Sequence, residues 1–162
     1  MAVIKQMKSF IDKVLLYFSL TLLTAMVLII LYQVFARQVL NSTPSWSEEL
    51  SRVLFVWVSF LGIAYGFKEK LHIAVGLVVD RFPEKVQDMI DLITKGIIVI
   101  FGLILFIYGW KFTVLMGYST LPGIKLPSSY LYAIIPVTGF FITINGIELF
   151  FKKGLHQDFD AM

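Results

Sequence analysis

The stretch Val14 to Ala36, VLLYFSLTLLTAMVLIILYQVFA, decides the fold. Its 23 residues include no charged side chain. As a helix rising about 1.5 Å per residue it covers the ~30 Å hydrocarbon core of a bilayer. Lys5, Lys8 and Lys13 precede it, as in a secretory leader. The run is nevertheless too long for a leader's apolar region, and no small-residue cleavage site precedes Arg37, so we read it as a retained membrane span.

Working outward, the rest of the chain has the same character. Of 162 residues, 58% are hydrophobic and 15% charged, and the mean hydropathy is +0.83. This exceeds what a soluble domain carries and makes lipid the solvent. Three further spans follow. Val53 to Phe67 has 15 uncharged residues, too few alone, so its helix must start earlier and hold Glu48, Glu49 and Arg52 at the interface. Gly96 to Trp110 lies between Lys95 and Lys111, both of which are expected to snorkel to headgroups. Leu126 to Ile147 enters through Pro127, Tyr130 and Tyr132 and leaves through Glu148, Lys152 and Lys153. The expectation is an all-α membrane protein with spans at about 14–36, 48–67, 92–116 and 128–151. These form one domain over 1–153, with a cytoplasmic tail at 154–162.

Basic residues set the orientation. With the N-terminus inside, the cytoplasmic side holds Lys5, Lys8, Lys13, Lys68, Lys70, Arg81, Lys85, Lys95, Lys152 and Lys153, and the other side Arg37, Arg52, Lys111 and Lys125. Ten against four in short loops puts both termini in the cytoplasm. The absence of cysteine removes disulfide relays, Fe–S ligation and thiol nucleophiles. A net charge of +3 from scattered Lys and Arg gives no footprint for nucleic acid.

Two connections carry amphipathic patterns. Ser45 and Glu48 have capping-box spacing, and Trp46, Leu50, Val53, Leu54 and Trp57 recur on one face, while Glu48 and Arg52 are spaced for an ion pair. This predicts an interfacial helix start outside the membrane. Inside, His72 to Phe82 is apolar but too short to span, and is expected to lie in the interface before Pro83 opens a helix. Beyond Pro83, Val86, Met89, Ile90, Ile93 and Ile97 form one stripe and Glu84, Asp88, Asp91 and Lys95 another.

The candidates for chemistry are few. Glu48 and Glu49 point about 100° apart on a helix, and Arg52 neutralises one of them. His72 and His156 lie outside the spans, so a bis-histidine haem is not built from them. Glu148 is spaced to pair with Lys152. Gly62 and Gly66 form a GxxxG that marks a packing face. Pro136 is expected to kink the fourth span, its freed carbonyl being met by Asn145, Thr138 or Thr143. No Asp, Glu, Lys, Arg or His stands at the centre of a span, which argues against an autonomous transporter, and no convergent nucleophile or histidine cluster argues for an enzyme. No metal, substrate or cofactor site is expected. The chain reads as the partner of something larger, one reading being a non-catalytic assembly subunit of a membrane complex such as a respiratory one.

The segments Ala36-Arg37-Gln38-Val39, Trp46-Ser47-Glu48-Glu49-Leu50-Ser51-Arg52, Leu54-Phe55-Val56-Trp57 and Leu61-Gly62 resemble the small membrane subunit of tripartite ATP-independent periplasmic (TRAP) transporters. So do Lys68 to Ile73, Phe82-Pro83-Glu84-Lys85 and the Leu126-Pro127 to Ile135-Pro136-Val137 entry to span four, whereas span three matches only as apolar sequence. The resemblance implies a bacterial inner-membrane stator beside a large membrane subunit that carries the substrate and sodium sites and moves as an elevator. A periplasmic solute-binding protein and phospholipid are the other partners. Trp46, Glu48, Glu49 and Arg52 would anchor the outer helix against partner and lipid and help form the periplasmic platform on which the binding protein docks. Trp57 would belong to the same anchoring set, His72 would orient the cytoplasmic segment, and no ligand would bind here. The transported solute would be an organic acid anion, sialic acid before a C4-dicarboxylate.

Overall fold

The computed structural model describes residues 2–69 and 83–151. The chain forms helices α1 (Ala2–Val39), α2 (Ser45–Glu69) and α3 (Glu84–Leu115). A 3-10 turn (Met116–Tyr118) and strands β1 (Thr120–Leu121) and β2 (Leu126–Pro127) follow, then a one-turn helix α4 (Ser129–Tyr132) and finally α5 (Ile134–Phe151). Among the described residues, four helical stretches are long and apolar enough to cross a membrane: Lys13–Val39, Ser45–Gly66, Lys85–Tyr118 and Ser129–Phe150. The expected interfacial segment from His72 to Phe82, His72 itself, His156 and the tail lie outside the described residues.

The long helices form an open row rather than a closed four-helix bundle. The principal contacts run from α1 to α2, from α2 to α5 and from α5 to α3. Each helix therefore leaves broad apolar faces uncovered. Along α1, Phe18, Leu28, Leu31 and Phe35 are exposed, as are Ile97, Ile100, Ile104 and Ile107 along α3. Such faces need lipid or another protein. α1 closes with Leu40 N–H donating to Ala36 O at 2.9 Å and with Asn41 at φ 49°, a left-handed stop that asparagine tolerates.

The tightest packing is a glycine seam between α3 and α5. A Cβ on Gly139 would lie 2.5 Å from Phe106 N, and one on Gly102 would lie 2.6 Å from Thr143 Oγ1. Gly109 receives Ile135 and Pro136, and Gly146 receives Ile98 and Val99, in the same manner. Small residues let backbones approach where apolar burial alone gives no drive in lipid. The expected GxxxG behaves differently: a Cβ on Gly62 or Gly66 would meet nothing within 4 Å, so that face of α2 is uncovered by the described chain.

The helical stretch Ser129–Phe150 is broken at Ala133, which caps α4, and Pro136 three residues on lacks the N–H that would pair with the Tyr132 carbonyl. Three local expectations need correction. The carbonyl of Tyr132 is met not by Asn145, Thr138 or Thr143 but by Thr113, whose hydroxyl lies 3.1 Å from it and 2.7 Å from Gly109 O. Lys95 does not snorkel. Its Nζ pairs with Asp91 Oδ2 at 2.6 Å, with side chains only 7% and 11% exposed, while Met89, Ile93 and Ile97 of the apolar stripe face outward. Lipid inverts the soluble pattern here, so Asp91 and Lys95 of the polar stripe turn inward as a pair while Asp88 stays exposed. Lastly, α2 starts at Ser45 itself, one position too early for a Ser45–Glu48 capping box.

Candidate functional site

The polar groups of α2 converge at its first turns, where α1 ends and the 116–132 connection folds back. Trp46 stacks on Tyr32 of α1 with ring centroids 5.8 Å apart and planes at 24°, which ties the row's outer helix to its neighbour. Ser47 is fully buried, and its hydroxyl donates to Pro44 O at 2.7 Å. Ser51 donates to Ser47 O at 2.7 Å.

The two adjacent carboxylates have separate destinations. Glu48 pairs with Arg52 at 3.4 Å, with side chains 66% and 58% exposed, a surface pair of small energetic weight. Glu49 reaches across to the connection, where its Oε2 accepts the backbone N–H groups of Gly123 at 2.8 Å and Ile124 at 3.0 Å. One carboxylate oxygen taking two consecutive amides is a charge-assisted clamp. It works only if residue 123 lacks a side chain, since a Cβ there would lie 2.7 Å from Ser45 O. Trp57, two turns further along α2, donates its Nε1–H to Tyr130 O at 2.9 Å. Glu49 and Trp57 thus fasten α2 to the turn and to the C-terminal end of one connection.

That loop is a short hairpin. β1 and β2 pair antiparallel, Thr120 with Pro127 and Leu121 with Leu126. Lys125 N–H donates to Leu121 O and Ser128 N–H to Ser119 O, each at 2.7 Å. Lys125 has φ 55°, a left-handed conformation that costs a non-glycine residue about 1–2 kcal/mol and persists only where the surroundings impose it. Tyr118, just before β1, is 90% exposed.

Elsewhere, Asp91 and Lys95 form a buried pair near the opposite end of α3, with Asp91 Oδ1 lacking a hydrogen-bond partner. An apolar cavity of about 300 Å³ lies between α3 and α5, lined by Phe106, Trp110, Thr113, Ala133, Pro136, Val137 and Phe140. Among the described residues no three His, Cys, Asp or Glu side chains gather as metal ligands. Sequence reasoning singled out Trp46, Glu48, Glu49, Arg52 and Trp57 but missed Gly123, Ile124 and Tyr130, their partners across the chain. The signals available were the Pro122-Gly123 dipeptide, which marks a turn, and the need of a part-buried indole N–H for an acceptor.

Polar side chains that fasten backbone, on helices that leave their apolar faces open, define a multi-pass membrane subunit. The chain belongs to the DctQ component family of tripartite ATP-independent periplasmic transporters, whose family model matches residues 26–153, and it is a multi-pass protein of the bacterial inner membrane. It is 25% identical over 150 residues to the sialic acid TRAP transporter small permease protein SiaQ of Vibrio cholerae, covering 92% of this chain and 86% of that one. A putative TRAP transporter small permease protein of Haemophilus influenzae is 29% identical over 138 residues, 83% of each chain. The C4-dicarboxylate TRAP transporter small permease protein DctQ of Rhodobacter capsulatus is 30% identical over 94 residues, 57% of this chain and 41% of that one. Transport, not a respiratory complex, is the setting.

Proposed function

We propose that this small TRAP permease subunit is the stator of its transporter. It packs beside the large permease subunit and widens its scaffold, while that subunit carries substrate and sodium. The observation that carries the reading is the open row, whose uncovered faces on α1, α2 and α3 suit a protein that completes its packing against a larger one. The ten-to-four division of basic residues supports cytoplasmic termini, with the hairpin end of α2 in the periplasm. Trp46, Glu48, Arg52 and the open Gly62 and Gly66 face then meet lipid and the large subunit. The hairpin beside Glu49 and Trp57 meets the soluble binding protein, and His72 serves the cytoplasmic interface.

The transported solute is an organic acid anion, with sialic acid ahead of C4-dicarboxylates. Support for that preference comes from the first-loop segment and from the coverage of the Vibrio cholerae relative, against the shorter match to the Rhodobacter capsulatus one. The test is reconstitution. Proteoliposomes holding the large subunit and the binding protein should take up substrate in a sodium gradient only when this chain is present. Isothermal titration of the isolated chain with sialic acid or succinate should show no heat of binding. Substrate binding by this chain alone, or full uptake without it, overturns the stator reading.

A further inference from the structure

We infer that Glu49 is a positioning residue for the binding-protein step of uptake. It holds the 119–128 hairpin in the one shape that an acidic face of the soluble binding protein can dock on. The inference rests on the transport reading above and adds a residue and a charge preference to it.

Three observations converge on this assignment. First, the clamp is built at both sides: Glu49 Oε2 takes two successive amides, at 2.8 and 3.0 Å, and the bare Cα of Gly123 admits Ser45 O where any side chain would collide. Second, the hairpin holds a residue against its own preference. Lys125 sits at φ 55° at the turn's end, and a strained non-glycine residue on a tied loop marks a shape that something else uses. Without the clamp the turn could relax, because the β1–β2 ladder has only two residue pairs, well short of what holds a hairpin in water. Third, the face so presented is positive. Glu48 is matched by Arg52, and Glu49 is turned into the loop. Arg37, Lys111 and Lys125, all exposed at this end, have no carboxylate within ion-pair distance among the described residues. Tyr118, just before β1, is 90% exposed. A cationic rim with a projecting aromatic side chain suits an acidic, water-soluble partner, and long-range attraction of that kind acts on encounter more than on any later step.

Because the clamp acts on docking, its loss changes the amount of binding protein required and leaves turnover at saturation alone. The experiment uses the complete membrane complex in proteoliposomes, with the cognate binding protein titrated and initial uptake of labelled sialic acid or succinate recorded, whichever the wild-type complex accepts. Glu49→Ala should raise the half-saturating concentration of binding protein about tenfold, with the maximal rate within about twofold of wild type. Glu49→Gln keeps an oxygen that accepts both amides and should recover most of the affinity. Lys125→Glu, at the exposed turn, should raise the half-saturating concentration as Glu49→Ala does, and high salt should narrow the difference from wild type. Hydrogen exchange should show the Gly123 and Ile124 amides protected in wild type and open in Glu49→Ala. A lower maximal rate at unchanged half-saturation overturns the inference, as does a Lys125→Glu complex indistinguishable from wild type. Should Glu49→Ala fail to assemble, Lys125→Glu alone decides. Failure of the underlying transport reading looks different: the wild-type complex would then not respond to binding protein at all.

Discussion

Replacing Gly139 by alanine tests the seam on which α3 and α5 meet. The added Cβ would lie 2.5 Å from Phe106 N, 2.8 Å from Leu105 C and 2.9 Å from Gly102 O. All three atoms are backbone, so no rotamer change relieves the clash. Restoring ordinary contact of about 3.4 Å forces the helices apart by about 1 Å, a gap that forfeits a quarter to a half of each dispersion well. For roughly 40 atom pairs of about 0.15 kcal/mol each along the seam, the loss is about 1.5–3 kcal/mol, inside the range measured for overpacked interiors. Gly62→Ala is the control, because its Cβ meets nothing within 4 Å. Unfolding of the isolated subunit in mixed micelles, titrated with SDS and followed by helical circular dichroism, should show Gly139→Ala less stable by that amount and Gly62→Ala unchanged or slightly more stable. Equal stability of the two variants would refute the seam.

Three further outcomes are expected. In a chain without cysteine, single cysteines at Ser9 and Gly154 should be shielded from an impermeant maleimide in intact cells, and at Ser42 or Ser119 labelled; outside labelling of Gly154 would reverse the proposed topology. Lys95→Ala should destabilise the subunit by about 3–5 kcal/mol, since it strands Asp91 in an apolar setting, and Asp91→Leu with Lys95→Met should recover most of that; equal losses in the single and double variants would refute a buried pair. Arg52→Ala should alter the isolated subunit by less than about 1 kcal/mol, given the exposure of its pair, while weakening copurification with the large permease subunit. Unchanged copurification for both Arg52→Ala and Trp46→Ala would remove these residues from the partner interface.

The spans were legible because a bilayer imposes a length, and charge-free runs of 15 to 23 residues leave few alternatives. What joins them was not. Sequence reading favours glycines four apart within one helix, Gly62 and Gly66, but the seam uses glycines seven apart on each of two helices, Gly102 and Gly109 against Thr143 and Ile135–Pro136, and Gly139 and Gly146 against Leu105–Phe106 and Ile98–Val99. No local pattern distinguishes the two cases, because the partner helix decides. Lys95 illustrates the same point: its place near a span end suggested snorkelling, yet Asp91 one turn away gives it a partner inside. Glu49 was visible as half of a carboxylate pair, but its acceptor role depends on amides 74 and 75 residues downstream.

A row one helix thick has unequal stiffness. Folding the row about an axis between two helices disturbs only side chains, whereas sliding α5 along α3 must lift Gly139 and Gly146 over the ridges of Leu105, Phe106 and Val99 that interlock with them. Glycine contacts at four levels act as the teeth of a rack, and they engage along the helix axes, the direction in which spanning helices cross a bilayer. A neighbour that shuttles across the bilayer therefore pushes against the direction in which this row yields least, although the same row would crease under a sideways push.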